Sequence, residues 1–135
     1  MIRQLDEKVT VGGQITPAQV AGLGRDGATM IVNNRPDHED PDQPLAADIE
    51  EAAAAAGIAY RHVPIVRGIG PGDIDSMREA MEACGEGRML AFCRSGTRSA
   101  MVCALAAREM GVDREEVERR LTAAGFDPAP ISHLL

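Results

Sequence analysis

Short strand-like runs, two of them almost continuously apolar, alternate with stretches of helical periodicity, and this alternation constrains the fold more than any other feature. The two apolar runs are ATMIVNNR and RMLAFC, at residues 28–35 and 88–93, and the other strand-like segments are AYRHVPIV at 59–66 and KVTVGG at 8–13. Apolar runs of this length, without a polar face, are typical of parallel strands buried on both faces. The alternation predicts an α/β domain with a mainly parallel sheet flanked by helices.

The intervals between the strands carry helix signals. Thr16, Pro17 and Gln19 form a capping box with proline in the first turn, which predicts the start of a helix. Glycines close most of the later periodic stretches, as expected just beyond a helix. The predicted helices occupy residues 15–27, 45–57, 73–85, 99–111 and 113–125, the predicted loops 36–44 and 67–72, and a last helical turn falls within 127–135.

The length and charge of the chain limit its class. A chain of 135 residues is expected to form one domain, residues 1–135. A net charge of −7 argues against nucleic acid and anionic membranes as partners, although a local positive site could still bind a small anionic substrate. The apolar runs are too short to span a bilayer and the start does not resemble a signal peptide, so we expect a cytoplasmic protein.

Three cysteines, without the spacing of metal ligands, predict free thiols. We expect no metal site and no cofactor. Cys84 and Cys103 fall on apolar helix faces, where a free cysteine is usually a small core residue. His62 alternates with the apolar Val63 and is interpreted as structural.

The loop CRSGTRS, at residues 93–99, is the strongest candidate for a functional site. Cys93 ends a buried strand, and the helix that follows presents free N–H groups and the positive end of its dipole. This field stabilises a thiolate. Gly96 lets the backbone curl, and Arg98 supplies a planar fork that suits a tetrahedral anion. The interpretation is a nucleophile, Cys93, inside an anion-binding loop. Its other predicted contributors are Arg94, which is expected to face outward, and Ser95, Thr97 and Ser99.

Further candidates follow from the topology, because parallel sheets place function at the carboxyl ends of their strands. Asn34 and Arg35 end one strand and could line the same cleft, together with Asn33 before them. Arg67, which begins the predicted loop at 67–72, is a candidate for anion binding. Asp37, Asp73 and Asp75 lie in or near loops at this edge and are possible general acids, and the sequence does not choose among them.

The loop CRSGTRS, together with GQITPAQVAGLGRDGATMIVNNRPDHEDPDQP before it and AAGF near the end, resembles the phosphatase-like domain of the beta-lactamase hydrolase-like proteins. The resemblance implies the fold of dual-specificity and tyrosine phosphatases, with the cysteine loop as the site. The family occurs alone or fused to metallo-beta-lactamase-type persulfide dioxygenases, which implies a possible partner of that kind. By itself, CRSGTRS also resembles the active loop of the rhodanese sulfurtransferases.

The loop departs from phosphatases of this fold in two ways. Four residues, instead of five, separate Cys93 from Arg98, and Phe92 stands where those phosphatases have histidine. The shorter loop offers fewer amides to surround a phosphate, whereas one sulfur atom carried on Cys93 needs only a small pocket and no general acid. We therefore expect a sulfurtransferase that forms a persulfide on Cys93. The alternatives are a phosphatase acting through a phosphocysteine, and a module that binds anions or other proteins without catalysis.

Overall fold

The computed structural model describes residues 2–135. Its five strands are β1 (Ile2–Gln4), β2 (Val9–Gly12), β3 (Met30–Asn33), β4 (Ala59–His62) and β5 (Met89–Phe92). Its five α-helices are α1 (Pro17–Arg25), α2 (Ala46–Ala55), α3 (Pro71–Cys84), α4 (Thr97–Glu109) and α5 (Arg114–Ala123), and a 3₁₀ segment covers Ala129–Leu134.

The strands form one sheet in the order β1-β2-β5-β3-β4. All neighbours are parallel except β1 and β2, which are antiparallel. The last strand in the chain, β5, is therefore central, and its Ala91 pairs with Val11 on one side and Val32 on the other. The loop that follows β5 emerges at the middle of the sheet's carboxyl edge.

The side chains of β5 alternate between two apolar clusters, one on each face of the sheet. Met89 and Ala91 join the cluster packed under α3, α4 and α5, whereas Leu90 and Phe92 face α1 and α2. All four are at most 1% exposed, so burial on both faces explains the absence of polar residues in this run. The helix α4 is buried along most of its length, which fixes its N-terminus against the end of β5.

The predicted fold class is confirmed, and the differences are one additional edge strand and shifts at the ends of other elements. The edge strand β1 was not predicted, because three exposed residues carry no apolar alternation. The strand β4 ends at His62, before Pro64. The helices α3 and α4 begin two residues earlier than expected, at Pro71 and Thr97. No helix in residues 2–135 is long and apolar enough to cross a membrane.

Candidate active site

Cys93 lies one residue beyond β5 and is 1% exposed. Its backbone N–H donates to the carbonyl of Gly12 at 3.2 Å, which fixes the start of the loop to the end of β2. The N–H of Gly96, the N-cap residue of α4, donates to the Sγ of Cys93 at 3.1 Å. The sulfur atom therefore accepts a hydrogen bond from the loop itself and lies next to the free amides of the first turn of α4.

Gly96 is required by both conformation and space. Its φ is +97°, a region that L side chains rarely adopt. A Cβ built there would lie 3.3 Å from the carbonyl carbon of Gly12. Gly13, the residue after β2, is equally close to the cysteine loop. A Cβ built at Gly13 would lie 3.1 Å from the backbone oxygen of Arg94. Gly96 and Gly13 thus let the cysteine loop pack directly on the backbone at the end of β2.

Arg98 is held between two other loops. Its Nη1 donates to the carbonyl oxygen of Ile65 at 2.9 Å and to Oε2 of Glu39 at 2.6 Å, and its Nη2 donates to Oε1 of Glu39 at 2.8 Å. The hydrogen bond to Glu39 raises the pKa of Arg98, and a nearby Cys93 thiolate acts in the same direction. These contacts with two other loops fix the position of the guanidinium in the cysteine loop.

Glu39 is shared by two arginines. The Nε of Arg35 donates to its Oε1 at 2.9 Å. The hydrogen bond from Arg98 is the main cause that lowers the pKa of Glu39 to about 2, and Arg35 adds to it against the opposing effect of burial. Arg35, 3% exposed, also donates to Oε1 of Gln14 at 3.0 Å and to Asp40 at 3.3 Å. Glu39 is thus an anion at neutral pH that connects the two guanidinium groups.

Buried hydrogen bonds connect the end of the cysteine loop to the neighbouring strands. The hydroxyl of Ser99, fully buried, donates to Oδ1 of Asn34 at 2.7 Å. The amide of Asn34 donates in turn to the carbonyl of Val63 at 3.0 Å. In this structure the Ser99 hydroxyl therefore bonds to Asn34, and it joins the start of α4 to the ends of β3 and β4. Asn33 is directed elsewhere and donates to the Tyr60 hydroxyl at 3.2 Å.

The remaining loop residues lie at the surface. Arg94 has a side chain that is 72% exposed, and its Nη2 lies 3.9 Å from Oδ2 of Asp40. Ser95 and Thr97 are exposed and bond to each other at 3.3 Å. Arg67 is exposed in the segment between β4 and α3.

The three candidate general acids are all engaged in local structure. Oδ1 of Asp37 accepts the N–H of Ala46 at the start of α2. Oδ2 of Asp73 accepts the N–H of Gly70 in the capping box of α3. Asp75 forms an ion pair with Arg78, 3.6 Å away on the same helix. These contacts give each carboxylate a structural role that does not require catalysis.

The comparisons with known proteins agree with this architecture. Residues 1–109 match the family described as "Beta-lactamase hydrolase-like protein, phosphatase-like domain". The chain belongs to this family. A beta-lactamase hydrolase-like protein of Xylella fastidiosa is 40% identical in an alignment 129 residues long that covers 93% of this chain and 30% of the relative. The chain thus spans about a third or less of the length of the curated relatives it matches.

Solved structures also resemble this phosphatase-like domain. A suggested phosphatase from Neisseria meningitidis is 31% identical, with a TM-score of 0.81, over 98% of this chain and 95% of that one. The active form of Tk-PTP is 19% identical, with a TM-score of 0.71, over 98% and 92% of the two chains. At that identity the second likeness concerns the fold alone, which is that of the cysteine phosphatases.

Sequence reasoning missed three contributors to the site of this phosphatase-like domain. Glu39 lies in a segment that the sequence predicts only as a loop, and its partner Arg98 is 59 residues away. Ile65 contributes a carbonyl oxygen, which no side-chain pattern can indicate. Gln14 follows the glycines of β2, and only that position at the carboxyl edge was a signal for it.

The other cysteines differ from Cys93. Cys103 is 2% exposed within α4, and burial raises its pKa well above the usual range for a thiol. Cys84 is partly exposed at the end of α3, with its sulfur 3.8 Å from the Thr29 hydroxyl. In residues 2–135 no group of three or more His, Cys, Asp and Glu side chains could hold a metal ion.

Proposed function

We propose that this domain is a cysteine-dependent phosphatase that hydrolyses phosphoric monoesters through a phosphocysteine on Cys93. The observation that carries the proposal is the placement of Arg98, which follows Cys93 in the same loop and is anchored by Glu39 and the Ile65 carbonyl. A fixed guanidinium next to a nucleophile stabilises the negative charge of a phosphoryl group during transfer. The family and the phosphatase fold support the same reaction.

The proposed reaction has two displacements. The Cys93 thiolate attacks phosphorus, an S–P bond forms, and the P–O bond to the leaving group breaks with its electron pair on that oxygen. A water molecule then attacks phosphorus, the S–P bond breaks, and the thiolate returns as inorganic phosphate leaves. The loop amides and Arg98 surround the phosphoryl oxygens in both steps, while the proton lost by the water passes to the released alkoxide or to solvent.

The engaged carboxylates affect which esters the domain can hydrolyse. Asp37, Asp73 and Asp75 are held by backbone amides or by Arg78, and Glu39 is ionised between two arginines. We infer that protonation of the leaving group by a side chain contributes little here. Monoesters with acidic leaving groups, such as aryl phosphates, are then hydrolysed much faster than alkyl phosphates, because their oxyanions leave without a proton.

Sulfur transfer is the second candidate, supported by the four residues between Cys93 and Arg98. In that reaction the Cys93 thiolate attacks the outer sulfur of thiosulfate or of a persulfide. The S–S bond breaks, and sulfite or a thiolate leaves. The Cys93 persulfide then passes its sulfur to cyanide or to a thiol. A persulfide dioxygenase-type metallo-hydrolase would be a natural partner for this chemistry, but the comparisons favour the phosphatase.

Steady-state kinetics with both substrate classes test the proposal. We expect the protein to hydrolyse p-nitrophenyl phosphate, with rates that fall steeply as the leaving group becomes less acidic. Cys93→Ser should abolish the reaction, and Cys84→Ser, a matched change at a partly exposed thiol, should leave it intact. The phosphatase proposal is wrong, and the sulfurtransferase is favoured, if the protein transfers sulfur from thiosulfate to cyanide through Cys93 but shows no Cys93-dependent phosphatase turnover.

A further inference from the structure

A second cavity lies at the opposite end of the sheet from Cys93. It is bordered by α3, α4, α5 and the segment that joins β1 to β2, is partly open to solvent, and has a volume of about 380 Å³. Its floor includes Val9 and Met89, the first residues of β2 and β5, whereas Cys93 follows the last residue of β5. The cavity is therefore separate from the candidate active site, and the inference drawn from it does not depend on the proposed function.

The size and lining of the cavity suit a small molecule. Apolar side chains from both strands and all three helices form most of its surface. A dry cavity of about 150 Å³ with apolar walls can bind benzene, and small-molecule sites range from about 300 to 1,000 Å³. This cavity therefore has room for more than one ring, and its concave shape suits a small molecule.

Sulfur-containing side chains are concentrated in the lining of this cavity. The chain has seven methionines and three cysteines, and five of these ten residues line this one cavity. They are Met81, Cys84, Met89, Cys103 and Met110. Thioether and thiol sulfurs are polarisable and make favourable contacts with aromatic rings. None of the three aromatic residues of the chain lines the cavity, so its sulfurs find no aromatic partner there among residues 2–135.

The charged groups at the rim are already paired. Lys8 donates to the Gly85 carbonyl at 3.1 Å and to Glu86 at 3.4 Å. Arg120 donates to Glu116 at 2.8 Å and to Asp6 at 3.5 Å. A charged ligand would have to break these pairs or remain beside an unmatched charge in apolar surroundings. The rim therefore favours a neutral molecule.

We propose that the cavity between α3, α4 and α5 binds a neutral aromatic molecule of more than one ring, in contact with the methionine and cysteine sulfurs. The shape and volume of the cavity set the size of the ligand, the paired rim sets its charge, and the sulfur lining sets its aromatic character. Because α4 also carries the cysteine loop at its other end, the two sites share one rigid element.

The neutral fluorophore N-phenyl-1-naphthylamine is a suitable probe. We expect its fluorescence to rise and saturate with a single site per protein. Naphthalene should displace it at a concentration at least several-fold lower than decalin, the saturated molecule of similar size. Ala107 lies on α4 and lines the cavity, so a larger side chain at this position would occupy part of the cavity. Ala107→Phe should weaken probe binding at least tenfold, and the smaller Ala107→Leu should weaken it in the same direction.

Two variants serve as controls. Ala54→Phe adds the same aromatic group to the exposed face of α2, far from the cavity, and should bind the probe as the natural protein does. Cys93→Ser should also bind it normally, because the two sites are separate. Absence of saturable binding, or equal weakening by Ala54→Phe and Ala107→Phe in folded proteins, overturns the site. Displacement by decalin as effective as that by naphthalene overturns its aromatic class.

Discussion

The Arg98 guanidinium and the Glu39 carboxylate are joined by two hydrogen bonds, of 2.6 and 2.8 Å, from two different nitrogens. Both side chains are 28% exposed, so water screens the pair only in part. The two nitrogens fix the plane of the guanidinium as well as its position. Glu39 thereby becomes a positioning residue for the group that we propose to stabilise phosphoryl transfer.

Replacement of Glu39 is expected to lower turnover. Glu39→Gln keeps the size of the side chain but removes its charge and places an amide against Arg98. We expect kcat/KM for p-nitrophenyl phosphate to fall about tenfold, equivalent to a loss of about 1.4 kcal/mol in transition-state stabilisation, mostly through kcat. Glu86→Gln, at an exposed carboxylate far from the site, is the matched control. Higher activity in Glu39→Gln would mean that Glu39 competes with the substrate for Arg98.

The same variant should alter how stability depends on pH. Contact with Arg98 and Arg35 lowers the pKa of Glu39 from 4.5 to about 2 in the folded protein. The ionised pair therefore contributes stability above the unfolded-state pKa, and this contribution is lost as the pH falls toward 2. Thermal unfolding should show the natural protein to be more stable than Glu39→Gln at pH 6, with a difference that shrinks below pH 4.5. A constant difference would mean that the charge of Glu39 contributes nothing.

Arg98 is expected to act through geometry as well as charge. Lysine keeps the positive charge but cannot hold Glu39 with two nitrogens while it also faces Cys93. Arg98→Lys should lower turnover on the order of tenfold or more, because about 1.4 kcal/mol of lost stabilisation is enough for that. Arg94→Ala, at an exposed side chain in the same loop, should have a smaller effect that appears mainly in KM. If Arg94→Ala loses most of its activity while Arg98→Lys remains fully active, then Arg94, and not Arg98, is the arginine that stabilises the transition state.

Gly96 provides a test of the loop geometry. Gly96→Ala puts a Cβ at positive φ, which costs about 1–2 kcal/mol, and within 3.3 Å of the Gly12 backbone. We expect lower thermal stability and a loss of turnover greater than the loss of stability explains. Gly57→Ala is a matched control, because it has a positive φ of 71° but no atom within 4 Å of the added Cβ. Equal effects of the two changes on activity would show that the approach of the loop to β2 is unimportant.

The buried link between Ser99 and Asn34 should appear in stability measurements. Ser99→Ala leaves Oδ1 of Asn34 without its 2.7 Å partner in a fully buried position. An unsatisfied buried acceptor costs about 1–3 kcal/mol, and chemical denaturation should show a loss in that range. Ser132→Ala, which removes an exposed hydroxyl bonded to the Ala129 carbonyl, should change stability much less. A loss no larger than that of the control would mean that water replaces the missing hydroxyl.

The fold could be predicted because its signals are local. The apolar runs of β3 and β5 are short, lack a polar face and alternate with helices, which leaves few architectures other than an α/β sheet. The position of Cys93 followed from the same pattern, because the residue after a central parallel strand lies at the functional edge. The edge strand β1 escaped detection because its exposed residues need only backbone pairing with β2.

The surroundings of Cys93 were harder to predict because they depend on distant contacts. Four acidic residues lie between positions 37 and 42, and no local rule indicates that Glu39 turns back to Arg98 while Asp37 caps α2. The sequence predicts Ser99 as a contributor to the loop but does not indicate its partner Asn34, which is 65 residues away. Loop length and family gave different expectations for the reaction, and the phosphatase alternative, not the sulfurtransferase, is the one that the family supports.

Trapping of the covalent intermediate is the most direct test of the central claim. The protein is mixed with p-nitrophenyl phosphate, quenched in denaturant within its first turnovers, and examined by intact and peptide mass. We predict a gain of one phosphoryl group on the peptide that carries Cys93, and no gain in Cys93→Ser. Turnover of the ester with no phosphoryl group on Cys93, or a gain of one sulfur atom from thiosulfate as the only modification of Cys93, would contradict the phosphatase mechanism.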